Sequence, residues 1–183
     1  MQAENHAKAI SAINEELNNM LKIHDSLQPI LYRDIPEEHK KNIMILIMFL
    51  KEKYSPSGEY IKMKARLVVG GNTQNPETYS SIASPTVNPI TLMTIVNLAV
   101  IDDRKIATFD VPAAFLVPPM DPNEHFYGVL DEVTSSIAVS KNHVDQSFRG
   151  NNNKIYFRIR KYQYGLHQAS MKFYEFLVQI YCH

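Results

Sequence analysis

A single carboxylic acid interrupts an apolar stretch of the sequence. In the segment IATFDVPAAFL, residues 106–116, every residue from Phe109 to Leu116 is apolar except Asp110. Such an acid is unusual, because burying a carboxylate without a partner costs several kcal/mol. Two interpretations are open. Asp110 is either an oxygen ligand for Mg²⁺, which binds carboxylates together with substrate phosphates, or a strand-end acid that caps nearby backbone N–H groups.

Basic residues recur at every second position in the segment YIKMKARLVV, residues 60–69. The period of two predicts a strand that carries Lys62, Lys64 and Arg66 on one face and apolar side chains on the other. Guanidinium and ammonium groups both bind phosphate oxygens well. A row of three cations with no acid between them therefore indicates either a phosphate-binding face or the solvated face of a hairpin.

A second basic cluster occupies the segment KIYFRIRKY, residues 154–162. Its cations are interleaved with aromatic residues: Lys154, Arg158, Arg160 and Lys161 alternate with Tyr156, Phe157 and Tyr162. This mixture is typical of surfaces that contact single-stranded nucleic acid. It is equally typical of an edge strand that charge protects from aggregation.

The elements that must position these residues follow from periodicity and turn residues. Asn88 and Pro89 predict a helix start, and the apolar character of the helix that follows predicts burial. Pro112 should end a short strand that carries Asp110. The predicted elements are a helix over residues 5–24, hairpin strands over 43–54 and 60–69, the helix from Asn88 to about 101, strands over 105–111, 126–130 and 154–162, and a last helix that holds Phe173, Phe176, Leu177 and Ile180.

Composition excludes several classes of protein. Among 183 residues, 19 Lys and Arg balance 19 Asp and Glu, which argues against a histone-like, strongly basic nucleic-acid binder. The single cysteine, Cys182, excludes an intrachain disulfide. The longest apolar run, residues 43–50, is too short to span a bilayer, and the first ten residues lack the apolar core of a signal peptide. We expect a cytoplasmic protein without a membrane partner.

Four segments occur in an order that resembles a known family. KMKARLVVGGNTQ, SSIASPTV, IATFDVPAAFL and RKYQYGLHQASMKFYEFL are together similar to the reverse transcriptase domain of copia-type retrotransposons, over about residues 45–180. The resemblance implies an α+β fold: the fingers and part of the palm of a right-hand polymerase, with an antiparallel sheet and helices packed on one face. It also implies three parts: an N-terminal helical extension over 1–44, a fingers-like hairpin and helix over 45–104, and a partial palm over 105–183.

The resemblance further implies roles for individual residues. Asp110 matches the first catalytic aspartate and magnesium ligand. Lys64 and Arg66 match cations that hold the nucleotide triphosphate. The resemblance also implies that the Val111 carbonyl lies near a metal ion and that the Phe115 ring excludes a ribose 2′-OH. It implies that Gln168 lines the nucleotide pocket. Nucleic-acid contacts are implied for Lys62, Arg158, Arg160 and Lys161.

The implied partners are an RNA template, a DNA primer, deoxynucleoside triphosphates and the remainder of a polyprotein, within a virus-like particle if the element is intact. The implied chemistry is two-metal addition of deoxynucleotides to a primer 3′-OH.

The second acidic motif of that family, Tyr-x-Asp-Asp, has no counterpart here, since no Asp-Asp pair follows Asp110. One carboxylate in open water should bind Mg²⁺ with a dissociation constant of order tens of millimolar. We therefore expect this chain alone not to polymerise. Two alternatives remain. One is a non-catalytic nucleic-acid-binding module. The other is an unrelated α+β protein, in which Asp110, Lys64, Arg66 and Gln168 would not share a cleft.

Overall fold

The predicted hairpin is the longest β structure of the molecule. The computed structural model describes residues 2–74, 84–150 and 152–181. Strands β1 (Leu27–Ile30), β2 (Met44–Tyr54) and β3 (Tyr60–Val69) precede β4 (Phe126–Leu130) and β5 (Tyr156–Ile159). Between β2 and β3 the Gly58 N–H donates to the Ser55 carbonyl at 2.9 Å, and Gly58 adopts a φ of +84°. The prediction of two strands around this turn is confirmed.

The five strands form one sheet in the order β1-β5-β4-β2-β3. All neighbours are antiparallel except β2 and β4, which are parallel. The prediction of an antiparallel sheet is therefore wrong for this pair. Side-chain alternation does not encode strand direction, and the long connection between β2 and β4 permits a parallel crossover that a tight turn would forbid.

The helices are α1 (Gln2–Asn18), which continues as a π-helical turn over Asn19–Ile23, α2 (Glu37–Lys40), α3 (Pro89–Ile101), α4 (Glu132–Ser140) and α5 (Ala169–Tyr181). Helix α1 packs on β3 and also contacts α4. Its apolar stripe buries Ala12, Ile13, Leu17 and Met20 against Ala65 and Leu67 of β3. The α+β class is confirmed. The three-part division at residues 44 and 104 stays a prediction, and the one sheet takes strands from all three parts.

Two glycines hold β3 against the turn that precedes α5. A Cβ atom on Gly71 would lie 1.9 Å from the Gly165 carbonyl oxygen, and one on Gly165 would lie 1.8 Å from the Val69 carbonyl oxygen. Gly165 also adopts a φ of +99°. The Val69 N–H donates to the Tyr164 carbonyl at 2.8 Å. The backbones can approach this closely only because neither residue has a side chain.

Two predicted features are wrong: the burial of helix α3 and the strand over residues 105–111. The start of α3 is as expected, because the Asn88 side chain accepts a hydrogen bond from the Ile90 N–H at 2.8 Å. Burial does not follow: Ala99 is its one buried residue, and Ile101 is 77% exposed. Apolar composition predicts burial only where a partner surface exists, and the rest of the described chain leaves most of α3 uncovered. Residues 105–111 form no strand and are exposed up to Asp110.

The remaining predictions are largely confirmed. Strand β4 matches residues 126–130, β5 is the central part of 154–162, and α5 is the last helix. Residues 80–83 of the SSIASPTV segment and Cys182 lie outside the described residues. Among the described residues, no helix has the length and apolar character needed to cross a bilayer.

Replacing Gly165 with alanine tests the glycine contact. Gly165→Ala should lower the free energy of unfolding by about 3 kcal/mol or more, because the new Cβ would overlap the Val69 carbonyl. Gly58→Ala is the matched control. It has a similar positive φ but no atom within 4 Å of the new Cβ, so it should cost only about 1 kcal/mol. Urea unfolding of the three proteins measures both values, and equal losses would contradict the close contact.

Candidate functional site

A cavity of about 210 Å³ lies along the outer edge of β3. We call it the β3-edge cavity. Lys62, Lys64 and Arg66 all line it. Lys64 and Arg66 also border a second pocket, on the side of the hairpin that carries Lys51 and Lys53. Three other parts of the chain complete the walls of the β3-edge cavity. Helix α1 and the residues that follow it contribute Glu15, Glu16, Asn19, Met20 and His24. The turn after Pro112 contributes Ala113 and Leu116, and the turn before α5 contributes Tyr164.

Two acids of α1 face the cations across this cavity. The Glu15 carboxylate lies 4.0 Å from the Lys62 ammonium, and a Glu16 oxygen accepts a hydrogen bond from the Leu67 N–H at 2.9 Å. No acid lies between the cations in the sequence, but acids some fifty residues earlier in the chain lie beside them in the fold. Glu16 also satisfies a backbone donor that an edge strand would otherwise leave to solvent.

The Glu16 carboxyl has a pKa above its ordinary value. Burial raises this pKa, while the hydrogen bond from Leu67 and the charges of Lys64 and Arg66 oppose the rise by favouring the carboxylate. Sequence reasoning missed Glu16, although a signal was present. It lies four residues after Ala12 and four before Met20, both buried, so an acid stands in the apolar stripe of α1.

Aromatic rings support the guanidinium of Arg66. Its Cζ atom lies 4.6 Å from the centroid of the Tyr164 ring, in a cation–π arrangement. The Phe115 ring meets Tyr164 edge-on at 4.9 Å between centroids, and Phe173 meets Phe115 at 6.4 Å. Three of the segments that resemble the family thus meet here: β3, the turn that contains Phe115, and the turn that contains Tyr164.

Gln168 is buried instead of lining this cavity. Its Oε1 accepts a hydrogen bond from Gln74 at 2.7 Å, and Gln74 in turn accepts one from the His167 N–H at 3.1 Å. Gln168 is 2% exposed, and its Nε2 has no hydrogen-bond partner within the described chain. Its role in a nucleotide pocket stays a prediction.

Asp110 does not line the cavity that holds the cations. It is exposed on an irregular segment. Ala113, three residues later, does line the cavity. Even a fully extended chain would put the Asp110 Cα at most about 11 Å from the Ala113 Cα. Val111 is half-buried beside it.

The Ala113 backbone adopts the left-handed conformation, with φ 51°, which is uncommon for a residue other than glycine. Within the described ranges, no hydrogen bond or ion pair joins Asp110 to another residue. Phe109, the residue before it, packs near Tyr181, with ring centroids 6.2 Å apart.

The described residues form no preformed metal cluster. They include no group of three or more histidine, cysteine or acidic side chains arranged to hold a metal ion. Asp110 alone offers one carboxylate, whereas a pair of Mg²⁺ ions needs several oxygen ligands. The expected Mg²⁺ cofactor stays a prediction.

The second basic cluster lies on and beside an inner strand, since β5 contains Arg158 and the other three cations flank it. Because β5 pairs with both β1 and β4, the edge-strand interpretation is wrong. Arg158 and Arg160 border a shallow pocket together with Asp121 and Glu124. Arg160 forms an ion pair with Asp25 at 2.7 Å, next to His24 of the β3-edge cavity. The Lys161 backbone bridges to Pro119.

Comparison with known proteins finds relatives among retrotransposon polyproteins. No protein-family model matches the chain, and no solved structure matches it. The Ty1-LR3 and Ty1-PR1 Gag-Pol polyproteins of Saccharomyces cerevisiae are each 30% identical over 170 residues, and the Ty1-DR5 Gag-Pol polyprotein is 29% identical over 169. These matches cover 92% of this chain but 8% of each relative. The chain is thus similar to a small part of the Gag-Pol polyproteins of copia-type retrotransposons.

Proposed function

We propose that this chain is a reverse transcriptase-like fragment of a copia-type retrotransposon polyprotein, and that its β3-edge cavity binds the triphosphate of a deoxynucleotide. One observation carries the proposal. Segments far apart in sequence, which together resemble the reverse transcriptase family, contribute Lys64, Arg66, Leu116 and Tyr164 to one cavity. Of the four residues that an unrelated protein would not bring together, Lys64 and Arg66 share this cavity, whereas Asp110 and Gln168 do not line it.

The chemistry of the cavity suits phosphate. Arg66 offers a planar fork of donors, held by the Tyr164 ring, and Lys64 offers a compact positive charge. The backbone adds a further donor. On an edge strand, the N–H groups that point away from the sheet are two residues apart. In β3 the Leu67 N–H donates to Glu16 and the Val69 N–H donates to the Tyr164 carbonyl. The same alternation directs the N–H of Ala65, which lines the cavity, towards that cavity.

The remaining assignments rest on the resemblance. In the proposal Phe115, which packs on Tyr164, limits the space beside the nucleotide sugar, and Val111 and Gln168 lie near the bound nucleotide. Lys62, Arg158, Arg160 and Lys161 contact an RNA template or a DNA primer. The rest of the polyprotein supplies the parts of the polymerase that this chain lacks.

The proposal assigns binding, and not polymerisation, to the chain as given. Asp110 is exposed and contributes one carboxylate, so no step through a metal ion follows from these residues. Cation-rich binding of phosphate needs no metal, because charge-assisted hydrogen bonds to ionised oxygens contribute about 1.5–3 kcal/mol each.

Removing the two central cations tests the proposed site. The double variant Lys64→Ala and Arg66→Ala should weaken the binding of a deoxynucleoside triphosphate at least about tenfold, since it deletes both phosphate contacts. A matched control, Arg33→Ala with Lys141→Ala, removes the same charge from exposed positions that do not line the cavity. Calorimetric titration measures both affinities. Equal weakening by the two double variants would contradict a specific site.

Primer extension tests the expected lack of polymerisation. With an RNA template, a DNA primer and Mg²⁺ or Mn²⁺, the purified chain should incorporate no deoxynucleotide, because one carboxylate holds a divalent ion too weakly. Incorporation that Asp110→Asn abolishes would contradict this account.

Binding of single-stranded nucleic acid tests the non-catalytic alternative. That alternative is the better description if the chain binds single strands in a salt-dependent manner and if changing Lys62, Lys64 and Arg66 together to alanine removes this binding without affecting nucleotide binding.

A further inference from the structure

We infer that Glu16 is a built-in counter-anion of the β3-edge cavity, which competes with phosphate for Lys64 and Arg66 and so lowers the affinity of the site for highly charged anions. The inference rests on the proposed function, since it assigns a regulator to the same cavity. It concerns a residue of α1, outside the segments that carry the family resemblance.

The first support is geometry. Glu16 lines the cavity together with Lys64 and Arg66. Its carboxylate is fixed at the cavity wall by the hydrogen bond from the Leu67 N–H at 2.9 Å. A phosphate that approaches the two cations therefore enters a cavity whose wall already holds a carboxylate.

The second support is the state of the charges. Glu15 forms an ion pair with Lys62 at 4.0 Å, whereas no ion pair within 4.0 Å joins Glu16 to a cation of the described chain. Burial raises the pKa of the Glu16 carboxyl, and the charges of Lys64 and Arg66 act on it through space in the opposite direction. Three cations and two carboxylates leave the cavity with a net charge of +1 when His24 is neutral. Loss of the Glu16 charge would double that value.

The third support is that Glu16 can be neutralised without losing its structural contact. A glutamine side chain keeps an oxygen that can accept from the Leu67 N–H, so Glu16→Gln removes the charge and retains the acceptor. Aspartate does the reverse, because Glu16→Asp retains the charge but shortens the reach towards Leu67. The two variants therefore separate an electrostatic role from a structural one.

Affinity for inorganic anions of different charge tests the inference. Glu16→Gln should bind inorganic tripolyphosphate about tenfold more tightly than the parent protein, and inorganic phosphate only about twofold more tightly, because Coulomb repulsion grows with the charge of the ligand. Glu16→Asp should bind no more tightly than the parent. Glu4→Gln is the matched control: it makes the same change on the same helix, where Glu4 pairs with Lys8 outside the cavity.

The outcomes separate this inference from the function on which it rests. If the parent binds tripolyphosphate through Lys64 and Arg66, but Glu16→Gln binds no more tightly, the inference is overturned and the proposed site stands. An equal gain in Glu4→Gln or in Glu16→Asp also overturns it. If neither the parent nor Glu16→Gln binds tripolyphosphate, the triphosphate site itself fails and the inference fails with it. Circular dichroism melts confirm that each variant is folded.

Discussion

The contact between Gly71 and Gly165 is the constraint on which the rest of the site depends. It lets the end of β3 approach the turn before α5 so closely that any side chain at either position would overlap a backbone carbonyl. The Val69 N–H then reaches the Tyr164 carbonyl, and the Tyr164 ring is held beneath Arg66. Phe115 packs against that ring in turn. One backbone contact thus gives three distant segments a common surface.

The cavity is also a consequence of where β3 lies in the sheet. An edge strand presents unpaired N–H groups and is a site of aggregation unless something covers it. Here Glu16 covers one donor and the Tyr164 carbonyl covers another. Glu16 and Tyr164, which accept hydrogen bonds from the edge strand, also line the cavity. The contacts that cover the strand edge therefore place an acid in the same cavity as the cations. Charge balance in the cavity follows from fold requirements as much as from ligand binding.

Local patterns in the sequence predicted most of the local structure, although the strand expected over 105–111 does not form. Alternation and the Pro56–Gly58 turn gave the hairpin, and Asn88 with Pro89 gave the start of α3. Features that depend on distant partners were not predictable in this way. The parallel pairing of β2 with β4 and the exposure of α3 both depend on surfaces far away in the chain.

The same distinction applies to the site. The cations of β3 were evident from their spacing, but Glu15 and Glu16 come from another element and were missed. Asp110 was the most conspicuous residue of the sequence and yet lies on an exposed, irregular segment. A motif predicts which residues matter in a family. It does not fix their positions when the elements that should surround them are not part of the described structure.

The central claim is that distant segments form one nucleotide-binding cavity. Its most direct test is a titration of isotopically labelled protein with a deoxynucleoside triphosphate, followed by backbone amide chemical shifts. The account predicts saturable shifts that share one dissociation constant in three places: Lys64 to Leu67 of β3, Ala113 to Leu116, and Tyr164. Shifts confined to β5, or shifts that differ in affinity between the three segments, would contradict a single shared site.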